Sequence, residues 1–423
     1  MYKMAAKKKS SKKEIDVEIT LDDVAADYSG VYNIDKSKLR DKVYYPCGFR
    51  NIDVLIGTNI YDSDDKLIRA NRGFGSGTWN TVAGPSGIGK TTFAIQMGAN
   101  ITKPLIDLGA KLFVLDVEGG FTVDRIKAIA NYSDNETRCI TIVEDTPYIE
   151  SVGELINSII EFKKKHNLKY KAKNAYNQDI EIYVPTVFVI DSLTQMPSQT
   201  VYEEEKQNPT DALHQAGAID KLFKLYRRKM IEYNIIVFSI CAITEEINMA
   251  NPMARPKKRW KALPATVKIL GGRKNAYNSD IGILMDSYEE ATKDKLDTKV
   301  SFLDSNYSIN CILFKSRQGL DVLEFNLIAS LQNEFNALAS FIYECQNLKI
   351  IESAGSVKKI QGLDTNIRTQ DLITKFKEDP EVRKALYKAY DEYRRNTLDS
   401  TRKTKEQREQ ISKEQDLMME GFE

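Results

Sequence analysis

Nine consecutive residues, Gly84, Pro85, Ser86, Gly87, Ile88, Gly89, Lys90, Thr91 and Thr92, have the make-up of a phosphate-binding turn. Glycines at 84, 87 and 89 let the backbone fold tightly enough for successive N–H groups to face one point. A helix opening at Lys90 would add the partial positive charge of its amino end. In the pattern GxxxxGK[ST], Lys90 would neutralise the outer phosphates of ATP and the Thr91 hydroxyl would ligate Mg²⁺. An ordinary glycine-rich strand-to-helix turn would share the glycines but has no need of the Lys-Thr pair.

Two carboxylates stand at the ends of later apolar runs. Residues 112–117 lead into Asp116-Val117-Glu118-Gly119-Gly120, and residues 185–190 lead into Asp191-Ser192. Ligands of a doubly wound sheet lie beyond the carboxyl ends of its strands, so Glu118 is placed to polarise an attacking water. Asp191 has the Walker-B position, which holds Mg²⁺ through a carboxylate. Each has a plainer reading when taken alone, as a solvated strand-end acid, and Asp116 says less than either.

A third constellation is basic. No acid occurs in residues 247–279, while Arg255, Lys257, Lys258, Arg259, Lys261, Lys268, Arg273 and Lys274 supply eight cations around Trp260. Pro252, Pro256 and Pro264 argue for a loop, and cations beside an aromatic ring offer phosphate neutralisation plus a stacking surface, the needs of single-stranded DNA binding. A solvated loop with Trp260 tucked into the core is the alternative. The stretch 195–214 is polar but contains Glu203, Glu204 and Glu205, so it is not an evident phosphate binder.

These residues need a scaffold, and the pattern around them supplies one. Short β-type runs at 78–83, 111–117, 139–143, 184–190, 235–240, 281–285 and 308–314 alternate with helical segments, the strongest following Lys90, Thr122, Ile149 and Thr210. That alternation predicts an α/β fold, a mostly parallel sheet flanked by helices. Residues 1–44 read as a basic tail and oligomerisation segment, with six lysines and no acid in residues 3–13. Residues 45–330 form the expected core, 331–395 a small, mostly helical unit and 396–423 a charged flexible tail. The last ten residues include Glu414, Asp416, Glu420 and Glu423.

Composition narrows the classes further. Of 423 residues 42% are hydrophobic and 29% charged, a globular balance that excludes a collagen-like or wholly disordered chain. Sixty-one Lys and Arg oppose 60 Asp and Glu, so any nucleic-acid footprint is local rather than global. Five scattered cysteines and two histidines suit neither a zinc site nor a disulfide framework. Without an apolar run of about 18 residues, no membrane span is expected, and the expected location is the cytoplasm.

In their order these motifs resemble the RecA recombinases, and within them the UvsX-like recombinases of tailed bacteriophages. The resemblance covers roughly residues 48–393 and rests on GPSGIGKTT at 84–92, LDVEGG at 115–120, VIDSL at 189–193, NIIVFSI at 234–240, Gly271-Gly272, and Lys315-Ser316-Arg317 after an apolar strand. It implies a RecA-type P-loop ATPase core with ATP and Mg²⁺ as cofactors and Glu118 as catalytic carboxylate. It also implies two DNA-binding loops, one after the Asp191 strand and one ending at the Gly-Gly pair. Lys315 and Arg317 would reach across a subunit interface to a neighbour's phosphates. The function implied is ATP-dependent DNA strand exchange by filaments on single-stranded DNA, with homologous duplex DNA, further copies of the chain and accessory single-strand-binding or mediator proteins as partners. If the chain is phage-encoded, the location would be the host cytoplasm. One position departs from the family. Where relatives end the strand after Walker B in a polar sensor, this chain has Ala242, preceded by Cys241 and followed at 244 by Thr. A hexameric helicase or motor on the same core, and a recombination mediator with a vestigial ATPase, are the rival readings.

Overall fold

The computed structural model describes residues 42–62, 64–144, 146–204, 210–245, 263–264, 266–270, 273–290, 306–330, 334–368, 371–399, 402, 404–407, 410–411 and 413–414, with the backbone alone at 245, 273–275, 290 and 306. Elements are numbered along the chain. The first are β1 (Tyr44–Tyr45), α1 (Arg50–Leu55), β2 (Thr58–Tyr61), β3 (Leu67–Asn71) and β4 (Phe74–Gly75). Next come β5 (Trp79–Gly84), α2 (Lys90–Thr102), β6 (Lys111–Asp116), α3 (Val123–Ala130), β7 (Ile140–Val143) and α4 (Ile149–Lys165). A hairpin of β8 (Lys169–Lys173) and β9 (Asp179–Tyr183) precedes β10 (Thr186–Asp191), α5 (Gln199–Glu204), α6 (Asp211–Glu232) and β11 (Ile235–Glu245). The core closes with β12 (Val267–Ile269), α7 (Arg273–Asn278), β13 (Ile281–Glu290), β14 (Asn306–Ser316) and β15 (Leu323–Ser330). Then follow α8 (Ala337–Asn347), β16 (Ile351–Ala354), β17 (Val357–Ile360), β18 (Ile367–Arg368), α9 (Leu372–Glu378) and α10 (Pro380–Leu398).

Strand residues that alternate in direction but are apolar throughout must be covered on both faces. In β10, Val187 and Val189 join the apolar cluster that holds Phe93, Ile95 and Ile126 of α2 and α3, whereas Phe188 and Ile190 join the cluster of Ile149, Ile156, Ile219 and Phe223 from α4 and α6. The same division runs through β6 and β11. The result is a central sheet in the order β15-β14-β13-β5-β11-β10-β6-β7, with β12 paired to the end of β11. The run from β13 to β7 is parallel, and β14 and β15 continue it antiparallel. Helix α2 lies close on the sheet because Gly98 carries no side chain: a Cβ there would sit 2.9 Å from Leu112 Cδ1 and 3.0 Å from Val187 Cγ1.

All seven expected runs are strands of this one sheet, and α2, α3, α4 and α6 follow the four expected positions. Several boundaries differ. Strand β11 continues to Glu245 because its end pairs with β12, and β13 reaches Glu290 because β14 accompanies it beyond the parallel region. Lys315 and Ser316 are therefore inside β14 rather than after it. The expected loop at 247–279 is a loop only in part, since it contains β12 and α7. Residues 42–44, assigned to the tail, belong to the core: Val43 is buried and Tyr44 pairs with Gly75.

The unit after β15 is less purely helical than its sequence suggests, because β16, β17 and β18 form a separate three-stranded sheet. Its apolar cluster includes Val54 of α1 together with Phe341, Leu386 and Tyr390. Beneath it, Glu344 pairs with Arg394 and accepts from Tyr390 Oη at 2.8 Å. The beginning of the charged tail is docked rather than free, since Arg402 stacks on Tyr61 at 3.6 Å and pairs with Asp65. All five cysteines are buried thiols. Among the described residues, no helix is long and apolar enough to cross a membrane.

Candidate functional site

At the carboxyl edge of the parallel strands, the turn after β5 has the conformation its glycines permit. Gly87 and Gly89 have φ of +78° and +95°, in the left-handed region that favours glycine. A Cβ at Gly84 would lie 2.5 Å from the Met285 carbonyl oxygen, so the turn enters close beneath β13, whereas a Cβ at Gly87 would meet nothing within 4 Å. The turn thus pairs a crowded base with an open rim of backbone at residues 86–87, ahead of the amino end of α2. Lys90 Nζ donates to the Pro85 carbonyl at 2.7 Å. Burial lowers the Lys90 ammonium below its usual range, opposed by Asp191, Cys241 and Glu118.

Register brings the acids to the same edge. Strand β11 lies between β5 and β10, and β6 flanks β10 so that Asp116 stands beside Asp191. Thr91 Oγ1 donates to Asp191 Oδ2 at 2.7 Å, joining the start of α2 to the end of β10. A hydroxyl and a carboxylate converging at a helix amino end form a hard oxygen donor set, which fits a small dication. Burial pushes the Asp191 carboxyl up to about 6. The Thr91 hydrogen bond opposes that shift, the Glu118 charge adds to it, Lys90 opposes it and Asp116 adds again.

Glu118 itself is exposed. What fixes it is Asp116, the acid the sequence left without a role. Asp116 is buried, its Oδ1 accepts the Gly119 N–H at 2.9 Å and its Oδ2 accepts the Phe121 N–H at 2.7 Å. One carboxylate therefore ties down the two residues, 119 and 121, that close the turn after Glu118, while on its amino side Val117 N–H donates to the Asp191 carbonyl at 2.9 Å. No spacing rule marks such a residue, because any strand-end Asp could do the same.

Ala242 pairs with Gly84 and is half-buried at this edge, where it offers no side-chain hydrogen bond. Thr244, on the same side of the strand, is exposed and pairs with Lys268 of β12.

The structure brings Lys90, Thr91, Glu118 and Asp191 together, but it sets Lys315 and Arg317 at the opposite edge. Strand β14 runs against β13, so Ser316 pairs with Ile281, which pairs in turn with Asn80 near the start of β5. Asn80 precedes Gly84 by four residues, about 13 Å at 3.3 Å per residue. The Lys315 Nζ donates to the carbonyls of Tyr277 and, at 3.4 Å, Ala276 at the end of α7. Arg317 Nη2 donates to the Tyr277 carbonyl at 3.4 Å.

Of the predicted DNA-binding residues, Lys268 is exposed on β12 and Arg273 opens α7. Arg255, Lys257, Lys258, Arg259, Trp260 and Lys261 lie outside the described residues. The expected first DNA loop holds α5, and Gln215 Nε2 from α6 donates to the carbonyls of Thr194 and Met196 at 2.9 and 2.8 Å.

Comparison with known proteins gives a partial likeness. No family model matches the chain. Over 94 residues it is 31% identical to the "DNA repair protein RAD51 homolog 3" of Dictyostelium discoideum, a stretch that is 21% of this chain and 24% of that protein. The chain spans about a quarter of the length of the curated relative it matches. The likeness supports kinship with the RecA family and nothing finer, and the α/β architecture with its mostly parallel, helix-flanked sheet is compatible with a core of that type.

Proposed function

We propose that this chain is an ATP-dependent recombinase that forms filaments on single-stranded DNA and exchanges strands with homologous duplex DNA, as UvsX-like members of the RecA family do. The observation that carries the reading is the meeting of Thr91 and Asp191 at the mouth of the glycine-rich turn, with Glu118 presented one strand further along. The turn and Lys90 would bind the phosphates of ATP, and Thr91 and Asp191 would hold Mg²⁺. Bound Mg²⁺ would supply neutralisation of charge on the outer phosphates. The Glu118 carboxylate would take the proton of the attacking water as its oxygen bonds to the γ-phosphorus and the bond to the β-phosphate oxygen breaks, leaving ADP and phosphate. Lys315 and Arg317 cannot serve the turn of their own chain from the opposite edge, which supports their action on a neighbour in a head-to-tail assembly. The partial similarity to a DNA repair protein agrees with a role in recombination and repair. The cytoplasm, that of the host if the chain is phage-encoded, is the proposed location.

The test compares ATP turnover with and without single-stranded DNA, follows joint-molecule formation with a homologous duplex, and images the complex by electron microscopy. Stimulated turnover, joint molecules and filaments are expected. Rings that unwind duplex without joint molecules would replace this reading with a helicase. Ala242 beside Gly84 favours a second reading, a recombination mediator with vestigial ATPase, for which turnover would stay at background while DNA binding persists.

A further inference from the structure

The amino edge of the sheet holds a charge cluster that the nucleotide site does not use. Asp280, at the entry to β13, has a side chain only 3% exposed. Arg227 of α6 grips it with two nitrogens, Nη1 to Oδ2 at 2.6 Å and Nη2 to Oδ1 at 2.7 Å, and its Nη1 also donates to the Gly77 carbonyl at 3.1 Å. Asp280 Oδ2 accepts the Trp79 N–H at 2.8 Å, which fixes the carboxylate to the first residue of β5. Its backbone carbonyl accepts the Arg317 N–H at 2.8 Å, and the Arg317 guanidinium lies 3.9 Å from Oδ1.

Two cations thus touch one acid, and two more, Lys42 and Lys315, lie within its electrostatic reach. Burial lowers the Lys42 ammonium below its ordinary range, with Asp280 opposing and Arg227 and Arg317 adding to the shift. Burial also brings Lys315 down to about 8, with Arg317 and Arg227 adding and Asp280 opposing. Lys42, Arg227, Lys315 and Arg317 repel one another; the Asp280 charge offsets that repulsion, and the Tyr277 carbonyl accepts from both Lys315 and Arg317. Arg317 remains 46% exposed, so the cluster presents excess positive charge to whatever docks on this edge. Cations held in place before an anion arrives need no reorganisation when it does.

We propose that Asp280, anchored by Arg227, is the positioning residue for Arg317, holding its guanidinium, next to Lys315, in the arrangement that meets the phosphates of a neighbouring subunit. The proposal rests on the reading that these cations act in trans. It excludes a direct role for Asp280, which is buried and already engaged.

The test uses Asp280→Asn, which keeps an oxygen for the Trp79 N–H and removes the charge. Alone, the variant should bind ATP within about threefold of wild type and hydrolyse it about 100-fold more slowly, the scale of a misplaced catalytic group. Mixed with Lys90→Ala, whose own turn is disabled but whose cations are intact, it should regain turnover at interfaces where the Lys90→Ala subunit supplies the cations. A parallel mixture of Lys315→Ala, Arg317→Ala with Lys90→Ala tests the underlying reading. If that control recovers and the Asp280→Asn mixture does not, Asp280 serves its own subunit and the proposal is overturned. Wild-type turnover of Asp280→Asn alone overturns it too. If the control itself stays inactive in co-assembled particles, the trans reading fails and the proposal falls with it. Should Asp280→Asn not fold, Arg227→Lys keeps the charge but loses the two-pronged grip, and the same expectations apply to it.

Discussion

Asp116→Asn is the most informative perturbation of the proposed nucleotide site, because Asp116 is none of the groups assigned there to phosphate, Mg²⁺ or water. The native carboxylate accepts from Gly119 and Phe121 at 2.9 and 2.7 Å while buried. An asparagine can offer an oxygen to one of these N–H groups and must turn its own NH₂ against the other. One charge-assisted hydrogen bond, worth about 1.5 to 3 kcal/mol, is lost, and a part-buried N–H is left facing a donor. Together this is about 2 to 4 kcal/mol against the present turn, enough for other turn geometries to compete. Glu118 would then leave its place by an ångström or so, which costs up to about 100-fold in rate. The expected result is turnover lowered about 10- to 100-fold in single-turnover hydrolysis at saturating ATP, with nucleotide affinity by fluorescence titration within about threefold. Urea unfolding measures the structural share. A variant that unfolds at lower urea but turns over at the wild-type rate would refute the reasoning, since the turn would then be free to loosen without consequence.

Glu118→Gln should retain ATP binding and lose about 10² to 10⁴ in turnover, the range for a positioned general base, and undiminished turnover would remove Glu118 from the mechanism. Replacing Lys257, Lys258 and Arg259 by Ala should lower the slope of log affinity for single-stranded DNA against log salt by up to about 2, at about 0.7 per lost phosphate contact. Trp260→Ala should weaken that binding by about 1 to 3 kcal/mol if a base stacks there, and no change in either variant would make the segment a solvated loop. Lys163 of α4 donates to the carbonyls of Val184, Tyr233 and Asn234, and burial pushes its ammonium down from 10.5 to about 7. Between those values the unfolded chain holds a proton that the folded chain has released, so stability rises with pH, by up to about 1.4 kcal/mol per unit. Wild type should therefore gain about 2 kcal/mol on Lys163→Met between pH 7 and 9 in urea unfolding, whereas a constant difference would mean that the three carbonyls keep the lysine charged.

How much of this was legible depended on whether a feature is local in sequence. The Gly84–Thr92 turn, the strand-end Glu118 and Asp191 and the seven strands were readable because glycine at φ above zero, an acid closing an apolar run and alternation with helices are all short-range patterns. Strand ends were not, because partners far along the chain decide them: β12 draws β11 on to Glu245, and β14 draws β13 on to Glu290. The same holds for the three-stranded sheet beside α8, whose short strands are broken by turns and carry mostly exposed charge. Asp116, Asp280 and Arg227 were invisible for a different reason. Asp116 meets N–H groups three and five residues on, as any strand-end acid could, while Asp280 and Arg227 meet partners up to 201 residues away, so none of the three is distinguished from a solvated residue by its type and spacing.

The separation of Lys315 and Arg317 from the glycine-rich turn by the length of the parallel strands has a consequence for counting. If a complete site takes one edge from each of two subunits, an open row contains one site fewer than it has members. It also has two unlike ends, one showing an uncovered turn and the other unused cations. Turnover per subunit would climb steeply from dimers to short rows and then level off, so breaking long rows by brief shear would lower activity without damaging any subunit. A subunit lacking its cations would still extend the row while silencing a single neighbour. One lacking both halves would silence two sites, giving mixed preparations an activity that falls faster than the dose of the defective chain.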